Sequence, residues 1–159
     1  MDEQAFAQLV DEHADGLYRF AFSMLREQTA AEDAVQDAFE GLWRKRMSVD
    51  LAKTKSYLFT SVHNRCIDAF RRQRPHVSVD EQPVALPERE PHDLQEHLHR
   101  GLAILPDKQQ AMVLLRDYEG YSYAEIAEIT ESTLETVKVS IFRARQRLRT
   151  YLGSIENVR

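Results

Sequence analysis

Apolar residues recur along this chain at helical spacing, in blocks separated by polar or proline-bearing breaks. Between Glu3 and Arg26 the positions Phe6, Leu9, Val10, Leu17, Phe20, Ala21 and Met24 predict one long helix, with Gly16 as a point where it can bend. Thr29 and Glu32 have the T-x-x-E spacing of a capping box and predict a second helix running to about Arg46. Its apolar face is Ala31, Ala34, Val35, Ala38, Phe39, Leu42 and Trp43. Its other face begins acidic, at Asp33, Gln36, Asp37 and Glu40, and ends basic, at Arg44, Lys45 and Arg46. That polarity suits the helix dipole, and it equally suits a docking surface. A third helical region is predicted over Thr54–Arg74, with Tyr57, Leu58, Val62, Ile67 and Phe70 facing a core. The run Ser61-Val62-His63-Asn64 holds weaker helix formers and marks a possible break.

Residues 75–91 contain four of the five prolines and no helical periodicity, which predicts an acidic, extended, flexible linker. The expected organisation is all-α: a helical domain over 1–74, the linker over 75–91, and a second helical domain over 92–159. Two such small units joined this way are expected to move relative to one another until a partner fixes them. In the second unit Leu94, Leu98, Leu102 and Leu105 form one stripe. A further helix begins at Pro106-Asp107 and buries Ala111, Met112, Leu114 and Leu115. The stretch Gly120–Leu152 then predicts a short helix, a turn and a longer helix. Ser122 and Glu125 have capping-box spacing, and Ala124, Ile126, Ala127 and Ile129 supply the apolar side. From Ser132 or Thr133 onward, Val137, Ile141, Ala144, Leu148 and Tyr151 share a face, while Thr136, Lys138, Ser140, Arg143, Arg147 and Arg149 lie opposite. This is the pattern of a helix-turn-helix, whose second helix enters the DNA major groove.

The net charge of −5 argues against nucleic acid only until its distribution is read. Residues 1–40 balance at −8, 53–74 at +5, 75–99 at −5 and 133–152 at +4. Two basic helices therefore flank an acidic segment, and phosphate binding depends on the local face. The single cysteine, Cys66, excludes an intrachain disulfide and suits a reducing compartment. No stretch approaches the ~18 apolar residues of a membrane span, and the acidic N-terminus lacks a signal-peptide core, so a cytoplasmic protein is expected. His92, His97 and His99 do not share one helical face, and no metal site is expected. Nor is there a phosphate loop or a catalytic constellation; no cofactor and no enzymatic activity are expected.

Three segments together resemble a known family. They are LPDKQQAMVLLRDYEGYSYAEIAEIT at 105–130, with TVK at 136–138 and RARQRL at 143–148; AEDAVQDAFEGLW at 31–43; and SYLFTSVHNRCIDAFRR at 56–72. Their order is similar to that of bacterial sigma factors of the extracytoplasmic-function group, those reduced to regions 2 and 4. The resemblance implies a dissociable RNA polymerase subunit that selects promoters. It implies that Asp33, Gln36, Asp37, Phe39 and Trp43 dock on the clamp of the polymerase β′ subunit, with the β flap as a further contact. Tyr57, Phe59, His63 and Asn64 would melt the −10 element and capture an unstacked base, with Arg65, Arg71 and Arg72 on phosphates. The chemistry is apt, since opening a duplex needs aromatic surface, polar groups for a base edge, and cations. Phe59 fits a core role equally well. Thr133, Thr136, Lys138, Ser140, Arg143 and Arg147 would meet the −35 element. An anti-sigma factor is the implied regulator. The sequence departs from the family pattern at the turn, where Thr130-Glu131 replaces Leu-Gly, and at Glu135 and Ser140, where a glycine and a base are common. A different turn geometry is expected at Glu131.

Two other functions fit parts of the pattern. A helix-turn-helix regulator acting without polymerase would share the C-terminal half, but has no need of the basic aromatic helix ending in RR-x-R. A helical adaptor for acidic partners would show no salt-dependent DNA binding.

Overall fold

The computed structural model describes residues 1–73 and 94–158. Four elements form the N-terminal part: α1 (Glu3–Leu25), α2 (Gln28–Arg44), a 3-10 turn (Leu51–Lys53) and α3 (Thr54–Gln73). Four helices follow: α4 (Leu94–Ala103), α5 (Asp107–Val113, continued as a π-helical turn over Leu114–Tyr118), α6 (Tyr123–Thr130) and α7 (Leu134–Val158). The expected all-α class is the observed one, and the described residues contain no strand. The linker at 75–91, Arg74 and His92 lie outside the described residues.

Helices α1, α2, α6 and α7 begin where a side chain satisfies free amides. Asp2 caps α1 by accepting from the Ala5 amide at 2.8 Å. The capping box predicted from Thr29 and Glu32 is not the one that forms. Glu27 caps α2 instead, its carboxylate accepting from the Thr29 and Ala30 amides at 3.1 and 2.6 Å. That earlier start takes Thr29 into the first turn, while Glu32 accepts from Gln28 Nε2. The second predicted box is present. Ser122 Oγ accepts from the Glu125 amide and Glu125 accepts from the Ser122 amide, both at 3.1 Å. Thr133 caps α7, its Oγ1 accepting from the Thr136 amide at 3.1 Å.

No break appears at Ser61–Asn64, and α1 runs unbroken through Gly16. Tertiary burial overrides the weak local propensity in α3, where Val62 and His63 are both buried. Leu94, placed on a core stripe by spacing, is exposed, because it is the first residue of α4 and the packed face begins further along.

One apolar core runs through both parts. Leu17, Phe20, Ala21 and Met24 of α1 meet Ala31, Ala34, Ala38 and Leu42 of α2, and Leu58, Phe59, Val62 and Cys66 of α3. The same cluster continues into Leu102, Leu105, Met112, Leu114, Leu115, Ile126, Ile129, Val137, Ile141 and Ala144. In this conformation α3 packs on α5 and α6, and α1 reaches the α5 turn. Phe59 of α3 takes part, its ring 5.1 Å from that of Tyr121.

Candidate nucleic-acid and polymerase interface

The helix-turn-helix is built from α6 and α7. Its turn closes with Glu131 at φ 55°, the left-handed region that favours glycine. The Ser132 amide donates to the Ala127 carbonyl at 2.9 Å and the Glu131 amide to Glu128 at 3.3 Å, a glycine-type helix ending made without glycine. The different geometry expected from the missing glycine is therefore not seen. The hydrogen bonds hold the backbone in place, at a strain of about 1 kcal/mol. Val137, Ile141, Ala144 and Leu148 seat α7 in the core. Thr133, Thr136, Lys138, Arg143 and Arg147 are exposed, and Ser140 is half-buried. Thr136 is tied locally, sharing a 2.8 Å hydroxyl contact with Thr133. Arg145, on the flank of the same helix, pairs with Asp117 at 2.6 Å and braces α7 against the α5 turn. Phe142 and Val139 are also exposed on α7, a feature that helical spacing of the apolar residues alone did not single out.

On α2, Asp33 and Gln36 are exposed, while Asp37, Phe39 and Trp43 are half-buried. Phe39 and Trp43 form a groove with Phe6 and Val10 of α1, edged by Glu3, Gln36, Glu40 and Arg44. Phe6 packs edge-on against Trp43, with centroids 5.0 Å apart, and against Phe39 at 6.2 Å. Arg46 stacks on the Trp43 ring at 3.9 Å and donates to the Trp43 carbonyl at 2.8 Å. Phe6 and Val10 were read from the sequence as core. Helical spacing does not separate a residue over a groove from one beneath it.

The residues predicted for the −10 element divide sharply. Asn64, Arg65, Arg71 and Arg72 are exposed on α3. Arg65 pairs with Asp37 at 2.5 Å, which joins a predicted DNA contact to a predicted polymerase contact. Tyr57 is half-buried; its ring lies 5.8 Å from Lys45 Nζ, and its hydroxyl sits where a side chain at Gly41 would begin, 3.0 Å from an added Cβ. Phe59 and His63 are buried, contrary to an open role for them in this conformation. Phe59 lies between Phe20, at 6.0 Å, and Tyr121, at 5.1 Å. Neither ring nitrogen of His63 has a hydrogen-bond partner. Burial, reinforced by the nearby Lys108, lowers the His63 pKa to about 4, and Asn64 opposes this only weakly. The imidazole is thus neutral at pH 7. It lines a polar recess with Asn64, Asp68, Arg71, Lys108, Thr130 and Glu131. Cys66 is also fully buried, and burial pushes its thiol up to about 12. No group of metal-binding side chains occurs among the described residues, and no described helix is long and apolar enough to cross a membrane.

Comparison with known families places names on these parts. Residues 9–76 match sigma-70 region 2, and residues 95–148 match sigma-70 region 4. The chain is 31% identical to the ECF RNA polymerase sigma factor SigW of Bacillus subtilis, over 97% of this chain and 92% of that protein. It is 33% identical to the ECF sigma factor SigE of Mycolicibacterium smegmatis, over 92% of this chain, and spans 61% of that longer protein. Among solved structures, the sigma factor RpoE of Bartonella quintana, crystallised with the anti-sigma factor NepR, superposes with a TM-score of 0.74 at 27% identity, covering 94% of this chain and 98% of that one. The chain belongs to the sigma-70 family, in the ECF group of alternative sigma factors that direct promoter recognition by RNA polymerase.

Proposed function

We propose that three separate surfaces of this sigma factor divide the work of initiation. The α1–α2 groove docks on the β′ clamp of core polymerase. Gln36 and Glu40 lie on its edge, Asp33 and Asp37 extend the polar surface of α2 beside it, and Phe39 and Trp43 supply the apolar contact. Exposed acids beside a half-buried aromatic pair suit a protein interface, with a desolvated centre and a charged edge. The α3 face, from Tyr57 through Asn64 to Arg72, melts and captures the −10 element. The outward face of α7 reads the −35 element, with Arg143 and Lys138 supplying charge. The β flap, promoter DNA and an anti-sigma factor complete the set of partners. No catalytic chemistry is required of the chain, and its place of action is the cytoplasm.

The observation that carries this reading is the coexistence, on one chain, of two basic helices and a distinct aromatic groove edged by acids. A regulator that acts on duplex DNA alone has a use for α7 but not for the other two surfaces. Transcription in vitro with core polymerase and a promoter library tests it. Association with core and starts at defined sites are expected. Tight binding to duplex DNA without core association would overturn it.

A further inference from the structure

A polar recess of about 410 Å³ lies where α3, the start of α5 and the turn after α6 meet. That volume is within the range of small-molecule sites. Three observations mark it as more than a gap. First, His63 in its wall is 3% exposed, and neither ring nitrogen has a hydrogen-bond partner. Asn64 weighs on the titration of that ring, but no hydrogen bond joins the two side chains. Second, Asp68, Arg71, Lys108 and Glu131 bring two acids and two cations to the same wall. No hydrogen bond or ion pair joins these four side chains to any described residue. Third, Glu131 holds φ 55°, a conformation in which glycine is at ease. The hydrogen bonds of its turn are made by backbone amides and owe nothing to its side chain. What glycine would lack there is the carboxylate, and strain retained at one residue points to a use for it.

The mixture of groups selects the ligand. A bare anion would meet Asp68 and Glu131 as well as the two cations, and a bare cation would meet the reverse. The Arg71 guanidinium and the Lys108 ammonium suit a phosphate. Carboxylates accept and cannot donate, which suits ribose hydroxyls. A neutral imidazole offers one donor and one acceptor, and a carboxamide offers both, which suits the edge of a base. Thr130 takes no part, because its hydroxyl is already given to the Ile126 carbonyl at 2.7 Å. We propose that this recess binds a free ribonucleoside monophosphate, with its phosphate on Arg71 and Lys108, its ribose on Asp68 and Glu131, and its base edge on His63 and Asn64.

Such a ligand gives His63 the partner that the protein does not, and a buried polar group gains most from a contact it otherwise lacks. It also competes with DNA. Asn64 and Arg71 are exposed members of the α3 face, so a bound nucleotide and a −10 strand claim the same two side chains. That consequence rests on the assignment of α3 to the −10 element made above; the recess itself does not.

The test is titration calorimetry of the full chain with AMP, GMP, CMP and UMP in turn, and with orthophosphate as the control. One-to-one binding of at least one nucleotide is expected, about tenfold or more tighter than orthophosphate. Lys108→Ala, at an exposed position, should weaken it about tenfold or more. Glu131→Gly should weaken it too while raising the unfolding midpoint, two opposite movements that a merely structural residue would not give. Arg65→Ala should leave it unchanged, since Arg65 pairs with Asp37 and does not line the recess. Absence of binding by all four nucleotides, equal binding of orthophosphate, or binding untouched by both Lys108→Ala and Glu131→Gly overturns the proposal. A fluorescent, mixed-sequence single strand separates this site from the −10 reading. The bound nucleotide should displace the strand from the parent chain, and Arg65→Ala should weaken the strand alone. If the nucleotide binds and the strand is indifferent to it, the −10 assignment falls and the recess stands. If only the strand binds and Lys108→Ala weakens it, the recess belongs to the DNA face and the proposal falls.

Discussion

Helices α3 and α7 carry similar basic sets but stand in opposite relations to solvent. On α7 the buried stripe among the described residues is aliphatic, Val137, Ile141, Ala144 and Leu148, and the cations proposed for DNA are exposed. On α3 the buried set includes Phe59 and His63, two of the residues with the best chemistry for an unstacked base. The difference fits what each is proposed to read. A duplex major groove is met by polar side chains that tolerate water, so such a face can stay exposed. A melted strand is met by aromatic surface, which water disfavours and which packs against any apolar neighbour available. An aromatic surface left open would be an apolar patch, and here Phe59 is packed between Phe20 and Tyr121.

Phe59→Ala is the hardest blow to this comparison. It deletes a fully buried ring between Phe20 and Tyr121, and a loss of about 3–5 kcal/mol in urea unfolding is expected. A loss near zero would show that Phe59 is not packed in the free chain. A pH series comes next. The folded pKa of His63 lies below that of an unfolded histidine, so the unfolded state binds the extra proton. Stability is therefore full above about pH 6.5 and falls as pH drops toward about 4. In His63→Leu, urea midpoints should lose most of this slope, leaving the contribution of His13, whose pKa burial also lowers. An unchanged slope would place His63 in water. Asp37→Arg sets a cation against Arg65 and strips an acid from the proposed docking surface of α2; core-polymerase affinity should drop about tenfold or more. Arg143→Ala, on the exposed face of α7, should weaken −35 duplex binding by about 1–3 kcal/mol with no change in melting temperature. Equal binding by variant and parent would count against that docking of α7. Smallest, Glu131→Gly should raise stability by about 1 kcal/mol by relieving the left-handed residue.

Much of the fold was legible because its signals are local. The Ser122–Glu125 box, the α7 stripe and the buried faces of α1 and α2 are all set by residues three or four apart. The α2 cap was misplaced because Glu27, a less favoured cap type, lies just upstream of a more familiar Thr-x-x-Glu pattern. The closure of the two halves had no local signal at all. Arg19 and Glu119 are 100 residues apart, and Lys55 and Glu125 are 70. Each reads in sequence as an ordinary solvated charge. The proposed site was drawn from residue types, and the sequence did not show that Phe59 and His63 among them would be buried.

The buried thiol of Cys66 has a kinetic meaning. With its pKa near 12, almost none of it is thiolate at neutral pH, and oxidants or alkylating agents meet an unreactive, inaccessible group. It reacts only when α3 leaves the core. Its rate of modification by a thiol reagent is therefore a clock for local opening, one the native chain already carries. Adding core polymerase or DNA and watching that clock speed up or slow down would report, without any mutation, which partner loosens α3 and which one holds it.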